Sequence, residues 1–213
     1  HMAFAEMPFG EPHNRLNAAM AVLLAYGLLK HRAQSDPDSH AAELIDEAEE
    51  ALLGQTDDPM ALPRSVLNGL KEFRGLRHRM ERLGSKRGIM VINNSMCTNP
   101  DAVIHSAQAA PGRKHLLIGG INKELEFKPL SRYLETSGDR AYIYGRDASQ
   151  VNAMLGGSHP VFATMQEAFA GAAEQAATGD TIMLAPGCAS MDQFEDFRER
   201  GDVFRHVVEE IGR

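Results

Sequence analysis

From about residue 88 onward, short apolar runs of strand length alternate with stretches whose apolar residues recur every three or four positions. No other feature of the chain limits its fold as tightly. A strand covered on both faces reads as a continuous apolar run, and a run, helix, run rhythm specifies parallel strands joined by crossover helices. The rhythm predicts strands over 89–93, 115–118, 141–144, 161–163 and 181–184. It predicts helices over 101–109, 129–136, 148–155, 166–177, 191–199 and 203–211. The expected fold class is α/β, an open, mostly parallel sheet of five or six strands with helices on both faces.

The preceding residues carry only a helical period. Leu16, Met20, Leu23, Leu24, Leu28 and Leu29 recur at helical intervals. A polar run, Gln34 to Ser39, predicts a break. Beyond it Ala41, Leu44, Ile45, Ala48 and Leu52 alternate with Glu43, Asp46, Glu47, Glu49 and Glu50, the pattern of a solvated amphipathic helix. A third helix is predicted over 63–73, and Gly75 ends it. The all-helical composition gives way to the alternating one across 75–86, and we place the boundary between residues 76 and 77, giving segments 1–76 and 77–213.

The 213 residues suffice to bury a core without disulfides or metal. With 29 acidic against 22 basic residues, the net charge of −7 gives a nucleic-acid backbone little reason to bind. Cys97 and Cys188 lack the spacing of a zinc site or a disulfide framework, so reduced thiols and no metal are expected. No apolar run approaches the roughly 20 residues of a membrane span, and no signal-peptide pattern opens the chain. A cytoplasmic protein with no nucleic-acid partner and no membrane insertion is the expectation. His1-Met2 has the look of an expression-vector remnant, which leaves room for a natural chain that extends further upstream.

In open parallel sheets, ligands meet the carboxyl ends of the strands, where loops enter helices with their backbone N–H groups exposed. Three loops qualify. Residues 93–100 form a polar run before a helix that Pro100 can open, although turn chemistry and an N-cap account for it equally well. Gly119-Gly120-Ile121-Asn122-Lys123 joins close-approach glycines to an ammonium, a candidate anion site or a solvated lysine in a turn. Residues 185–194 combine small side chains with Ser190, either an anion-binding loop or a helix cap. No dinucleotide fingerprint follows any strand, and GxxxxGK[ST] occurs nowhere. Asp192, Glu195, Asp196 and Glu199 interleave with Arg198 and Arg200, which predicts a solvated helix face rather than a metal site. Near the boundary, Arg77, His78 and Arg79 place cationic and titratable groups at a natural cleft. Asn14 and Asn17, at i and i+3, share a helix face where amides can read a base edge or cap the helix.

One ordered series joins these signals: His13-Asn14-x-x-Asn17, Phe73-x-Gly75-Leu76-x-His78-Arg79-Met80-Glu81, Asn93-x-Ser95-x-x-Thr98-Asn99-Pro100, and Gly119-Gly120-x-x-Lys123. It ends in Pro186-x-Cys188-Ala189-Ser190-x-Asp192-Gln193-Phe194-x-x-Phe197-x-x-Arg200-Gly201-x-x-Phe204. The series resembles the Mur ligases of peptidoglycan synthesis, most closely the branch that couples D-glutamate to a UDP-N-acetylmuramoyl precursor. It covers the chain from about residue 8 onward, except a helical insertion near 30–63.

The resemblance implies a three-domain, ATP-dependent amide ligase, with this chain matching the end of the central ATPase domain and the whole C-terminal, Rossmann-like, amino-acid-binding domain. ATP phosphorylates a carboxylate, and the amine of the acceptor amino acid displaces phosphate to form the amide. By position, Thr98, Lys123, Ser190, Met191 and Phe197 match residues that hold the acceptor. Asn14 and Asn17 match adenine contacts, His78 and Arg79 match hinge residues that reach the nucleotide, and Asn94 stands beside it. ATP and Mg2+ belong to the full-length enzyme, with none tightly bound here. The partners implied are the amino acid, the nucleotide-sugar precursor and the upstream domains. No catalytic residue falls within this chain, which alone is expected to be inactive. Where the branch shows Asp-Ser-Lys, the chain has Asn94-Ser95-Met96, losing one negative and one positive side chain. Two alternatives stand beside this reading: a diverged ligase with another acceptor, and a non-catalytic binding or regulatory module that starts at Met2.

Overall fold

The computed structural model describes Ser35 and residues 75–210, apart from the side chain of Lys86. The helices expected before residue 74, with Asn14 and Asn17, lie outside the described residues. Ser35 is helical and exposed, where the polar run predicts a break. A proline restricts chiefly the residue just before it, so Pro37 is no bar to helix at Ser35.

Eleven elements follow: β1 (Glu81–Lys86), β2 (Ile89–Asn93), α1 (Pro100–Ala109), β3 (Lys114–Gly119), α2 (Lys128–Ser137), β4 (Arg140–Tyr144), α3 (Ala148–Met154), β5 (Val161–Phe162), α4 (Met165–Gln175), β6 (Thr181–Gly187) and α5 (Phe197–Glu210). The six strands form one sheet in the order β1-β2-β6-β3-β4-β5. β1 runs antiparallel to β2, and every other pairing is parallel. The α/β expectation therefore holds, with differences at both ends of the described segment.

β1 was not predicted, because Leu83 is its one large apolar residue and an edge strand needs no continuous apolar run. What specifies it is the turn. Arg87 and Gly88, at φ 52° and 72°, form the two-residue connection that matches the twist of a hairpin. At the other end, a single helix, α5, replaces the two expected over 191–199 and 203–211. Residues 191–196 are turns and bends instead, and the Asp196 carboxylate accepts the Arg198 and Glu199 N–H groups at 2.7 and 3.0 Å at the start of α5. Gly201 does not end a helix. It sits inside α5 where a Cβ would lie 2.1 Å from His78 Nδ1, so its missing side chain makes room for that ring.

Alternation along the strands divides the core. Ile92, Leu116, Ile118, Ile143 and Met183 face α1, α2 and α3, meeting Val103, Leu130, Leu134 and Val151. Val91, Leu117, Tyr142, Ile182 and Leu184 face α4 and α5, meeting Met165, Phe169, Phe204 and Val208. Each such side chain contributes roughly 1.5–3 kcal/mol by leaving water. The chain leaves β2 through α1 to reach β3 on one face, and returns from β5 through α4 on the other face to insert β6 between β2 and β3. This reversal sets the loops after β2, β6 and β3 side by side at the carboxyl edge. Among the described residues, no helix is long and apolar enough to cross a membrane.

Candidate acceptor site at the carboxyl edge

The three loops singled out by the sequence are stitched together by main-chain bonds. Gly187 N donates to Cys97 O at 2.9 Å, joining the ends of β6 and the β2 loop. Ile121 and Ala189 exchange two bonds of 2.9 and 3.0 Å, joining the loops after β3 and β6. Gly120 makes this possible: at φ 123°, a Cβ there would lie 2.1 Å from Ala189 O. The close approach that its glycine permits is to the chain's own carbonyl. The Asp147 carboxylate accepts Asn122 N at 2.9 Å, and Arg146 beside it is the main cause holding its pKa below the ordinary carboxylate value.

At the rim, Thr98, Lys123 and Met191 are exposed, and the Lys123 ammonium meets no partner among the described residues. Ser190 is buried, its carbonyl accepting Gln193 N and Phe194 N. Phe197 is half-buried at the start of α5, with the Arg198 guanidinium 4.8 Å above its ring. The predicted acceptor residues thus come from the three joined loops and the adjoining helix start.

The nucleotide set is divided. Arg79 is exposed, whereas His78 and Asn94 are buried and engaged with the chain itself. Asn94 Oδ1 accepts Met80 N at 3.1 Å, and its Nδ2 donates to Ser106 Oγ at 2.7 Å. The His78 ring lies 3.2 Å from Asn93 Nδ2 and edge-on to Phe197, with Asp202 and Glu81 nearby. Burial, outweighing those carboxylates, lowers its pKa. His78 and Met80 hold left-handed φ values of 63° and 49°, and Met96 N donates to His78 O at 3.0 Å. The connector is thereby tied to the β2 loop and to α5.

Sequence reasoning missed Arg200. Expected on a solvated face, it is wholly buried: Nε donates to Ser95 Oγ at 3.0 Å, Nη2 to Ser95 O at 2.9 Å and Nη1 to Cys188 O at 3.2 Å. Its place on the inward face of α5, four residues before Phe204, was the available signal. Both cysteines are free and buried, and burial is the chief cause pushing each thiol up to about 12, so neither is a nucleophile at neutral pH.

Among the described residues no cluster of three or more His, Cys, Asp or Glu side chains is placed to hold a metal ion. A cleft of about 480 Å3 lies at the opposite edge, lined by residues including Arg140, Tyr142, His159 and Phe162. Of its polar groups, Arg140 engages Gln175 and His159 engages Leu155 O, and the three loops joined by main-chain bonds lie at the carboxyl edge instead.

A mostly parallel sheet with a topological reversal and joined loops at its carboxyl edge defines an α/β domain of the kind that takes ligands at that edge. The family model described as "Mur ligase, glutamate ligase domain" matches residues 78–188, and the chain belongs to the Mur ligase family. The UDP-N-acetylmuramoylalanine--D-glutamate ligase of Salmonella choleraesuis (strain SC-B67) is 40% identical over 162 residues, covering 73% of this chain and 36% of that protein. The Escherichia coli (strain K12) protein of the same name is 38% identical with the same coverage. The chain therefore spans little more than a third of the length of the curated relatives it matches. A ligand-free bifunctional folylpolyglutamate synthase/dihydrofolate synthase from Yersinia pestis, 18% identical, aligns with a TM-score of 0.50 over 74% of this chain and 38% of that one, a likeness of fold.

Proposed function

We propose that this chain is the C-terminal part of an ATP-dependent Mur-type amide ligase that adds D-glutamate to a UDP-N-acetylmuramoyl precursor in the cytoplasm. Residues 1–76 correspond to the end of the central ATPase domain with an inserted helix, and 77–213 to the amino-acid-binding domain. The observation that carries the reading is the joining of the three loops, one of which carries the exposed Lys123 ammonium, without a partner among the described residues. A dicarboxylate acceptor needs fixed cations and N–H donors, and charge-assisted bonds are the strong ones. Lys123 supplies the cation, Thr98 a hydroxyl donor, Ser190 and Met191 the loop beneath the ligand, and Phe197 an apolar wall. Held there, the acceptor amine is positioned to attack an activated carboxyl delivered by the rest of the enzyme.

The described residues do not fit the triphosphate and metal site: they hold no metal-ligand cluster, and the chain contains no GxxxxGK[ST]. ATP and Mg2+ are assigned to the full-length enzyme, and the chain alone is inactive. By the same resemblance the nucleotide contacts fall to Asn14, Asn17, His78, Arg79 and Asn94, of which His78 and Asn94 also hold the connector. A second reading, a different acceptor, is favoured by Met96, which stands 46% exposed where the branch carries lysine.

In the full-length ligase, Lys123→Ala is expected to raise the acceptor KM about 10- to 100-fold, the worth of a hydrogen bond to a charged group, with the ATP KM within about twofold. An unchanged acceptor KM overturns the assignment.

A further inference from the structure

The guanidinium of Arg200 is fully buried, and its three hydrogen bonds all go to uncharged oxygens: Ser95 Oγ, Ser95 O and Cys188 O. Among the described residues it has no ion pair. The neighbouring carboxylates make their bonds elsewhere, Asp192 with Arg146 N, Asp196 with Arg198 and Glu199 N, Glu199 with Glu195 N, and Asp202 with Arg77. The buried Tyr144 hydroxyl, without a hydrogen-bond partner, lies in the field of the same guanidinium.

Removing a cation from water without a counter-ion costs several kcal/mol, and apolar residues of similar volume stabilise a core as well or better. Stability alone is therefore a poor account of this arginine. Its planar fork reaches the loop after β2 through Ser95 and the loop after β6 through Cys188. Those two loops carry Thr98 on one side and Ser190 and Met191 on the other. Ser95 Oγ donates in turn to Phe197 O at 2.7 Å, so the start of α5 joins the same network.

Resting on the function proposed above, we propose that Arg200 is the positioning residue of the acceptor site. Its fork fixes the spacing of the two loops, and its unneutralised charge is balanced when the anionic acceptor binds.

Two measurements test this. In the 213-residue chain, amide hydrogen exchange is compared between wild type, Arg200→Lys, which keeps the charge and loses the fork, and Arg200→Met, which loses both. Exchange in residues 94–99 and 188–193 is expected to accelerate together by about tenfold, while Leu116 and Tyr142 in the strands keep their wild-type rates. Unchanged loop exchange, or equal acceleration throughout the sheet, overturns the positioning role. In the full-length ligase, Arg200→Lys is expected to raise the acceptor KM about tenfold and Arg200→Met more, with the ATP KM within about twofold. An unchanged acceptor KM, or parallel loss in both substrates, overturns it.

Should neither arginine variant fold, Ser95→Ala decides: it removes one acceptor of the fork, and is expected to loosen the same two loops and raise the acceptor KM about threefold, the worth of a neutral hydrogen bond. Wild-type exchange in both loops with this variant counts against the proposal. Absence of acceptor-dependent turnover in the wild-type enzyme would remove the ligase reading, while the exchange arm would still judge the loop spacing.

Discussion

The two ends of the sheet treat charge in opposite ways. At the amino end, among the described residues, the buried charges are closed within the chain. Asp139 accepts Lys114 N at 2.9 Å and the Tyr133 hydroxyl at 2.6 Å, with Lys114 Nζ at 3.5 Å. Asp180 accepts Ala177 N at 2.9 Å and faces His115 Nε2 at 3.1 Å, while His115 Nδ1 meets the Tyr142 hydroxyl at 2.9 Å. At the carboxyl end, Arg200 is buried among neutral acceptors and Lys123 is exposed without a partner among the described residues. The buried charges of one edge meet opposite charge within the chain, while the buried guanidinium of the other meets only neutral acceptors, which marks the edge where an anion belongs.

The strongest way to break this contrast is a matched pair of glycine substitutions. Gly120→Ala would set a Cβ 2.1 Å from Ala189 O at the carboxyl end, and Gly112→Ala one 2.0 Å from Gly179 O at the amino end, both at positive φ. Steric overlap and left-handed strain together predict a loss of about 3 kcal/mol for each in urea unfolding. Only Gly120→Ala is expected to raise the acceptor KM of the full-length enzyme, and equal effects on KM would erase the contrast.

Asp139→Ala leaves Lys114 N–H and the Tyr133 hydroxyl without their acceptor, and is expected to cost about 2 kcal/mol while the acceptor KM stays at its wild-type value. A shifted KM would show that the amino end reaches the site.

His78 gives a pH test at the connector. Because burial lowers its pKa in the folded chain, the unfolded chain binds the proton more readily. Its contribution to stability is complete above about pH 6.5, the unperturbed value, and is lost as pH falls from there through the lower folded value. Denaturation midpoints measured above and below that window are expected to differ in this sense, and less so in His78→Gln; an undiminished difference would assign the effect to another group.

The smallest effect is expected from Met96→Lys. An exposed substitution changes stability by no more than about 0.5 kcal/mol. An added ammonium on the β2 loop should lower the KM for a dicarboxylate acceptor more than for a monocarboxylate one. No preference between the two would place Met96 outside the site.

Much of this architecture was legible because strand burial on both faces writes itself as apolar runs: β2, β3 and β4 fall where the runs do. The same rule hides β1, whose Glu81, Arg82 and Ser85 need cover no apolar face. The three loops could be found because they follow those runs directly. The roles of Arg200 and Gly201 were not legible, since they lie in residues more than a hundred positions away, Ser95 and His78, and the helical spacing of Arg200 from Phe204 points inward without naming a partner. A buried arginine reads in sequence as a surface one, and a helical glycine that accommodates a ring reads as a break. Likewise the burial of Asn94 depends on Met80 and Ser106, which its local spacing does not reveal.

The most direct measurement is a crystal structure of the full-length ligase with its acceptor amino acid bound. The account predicts a ligand carboxylate within hydrogen-bond distance of Lys123 Nζ, between the loops carrying Thr98 and Ser190. An acceptor seated instead in the cleft beside Tyr142 and Phe162, with the carboxyl edge closed on itself, would contradict it.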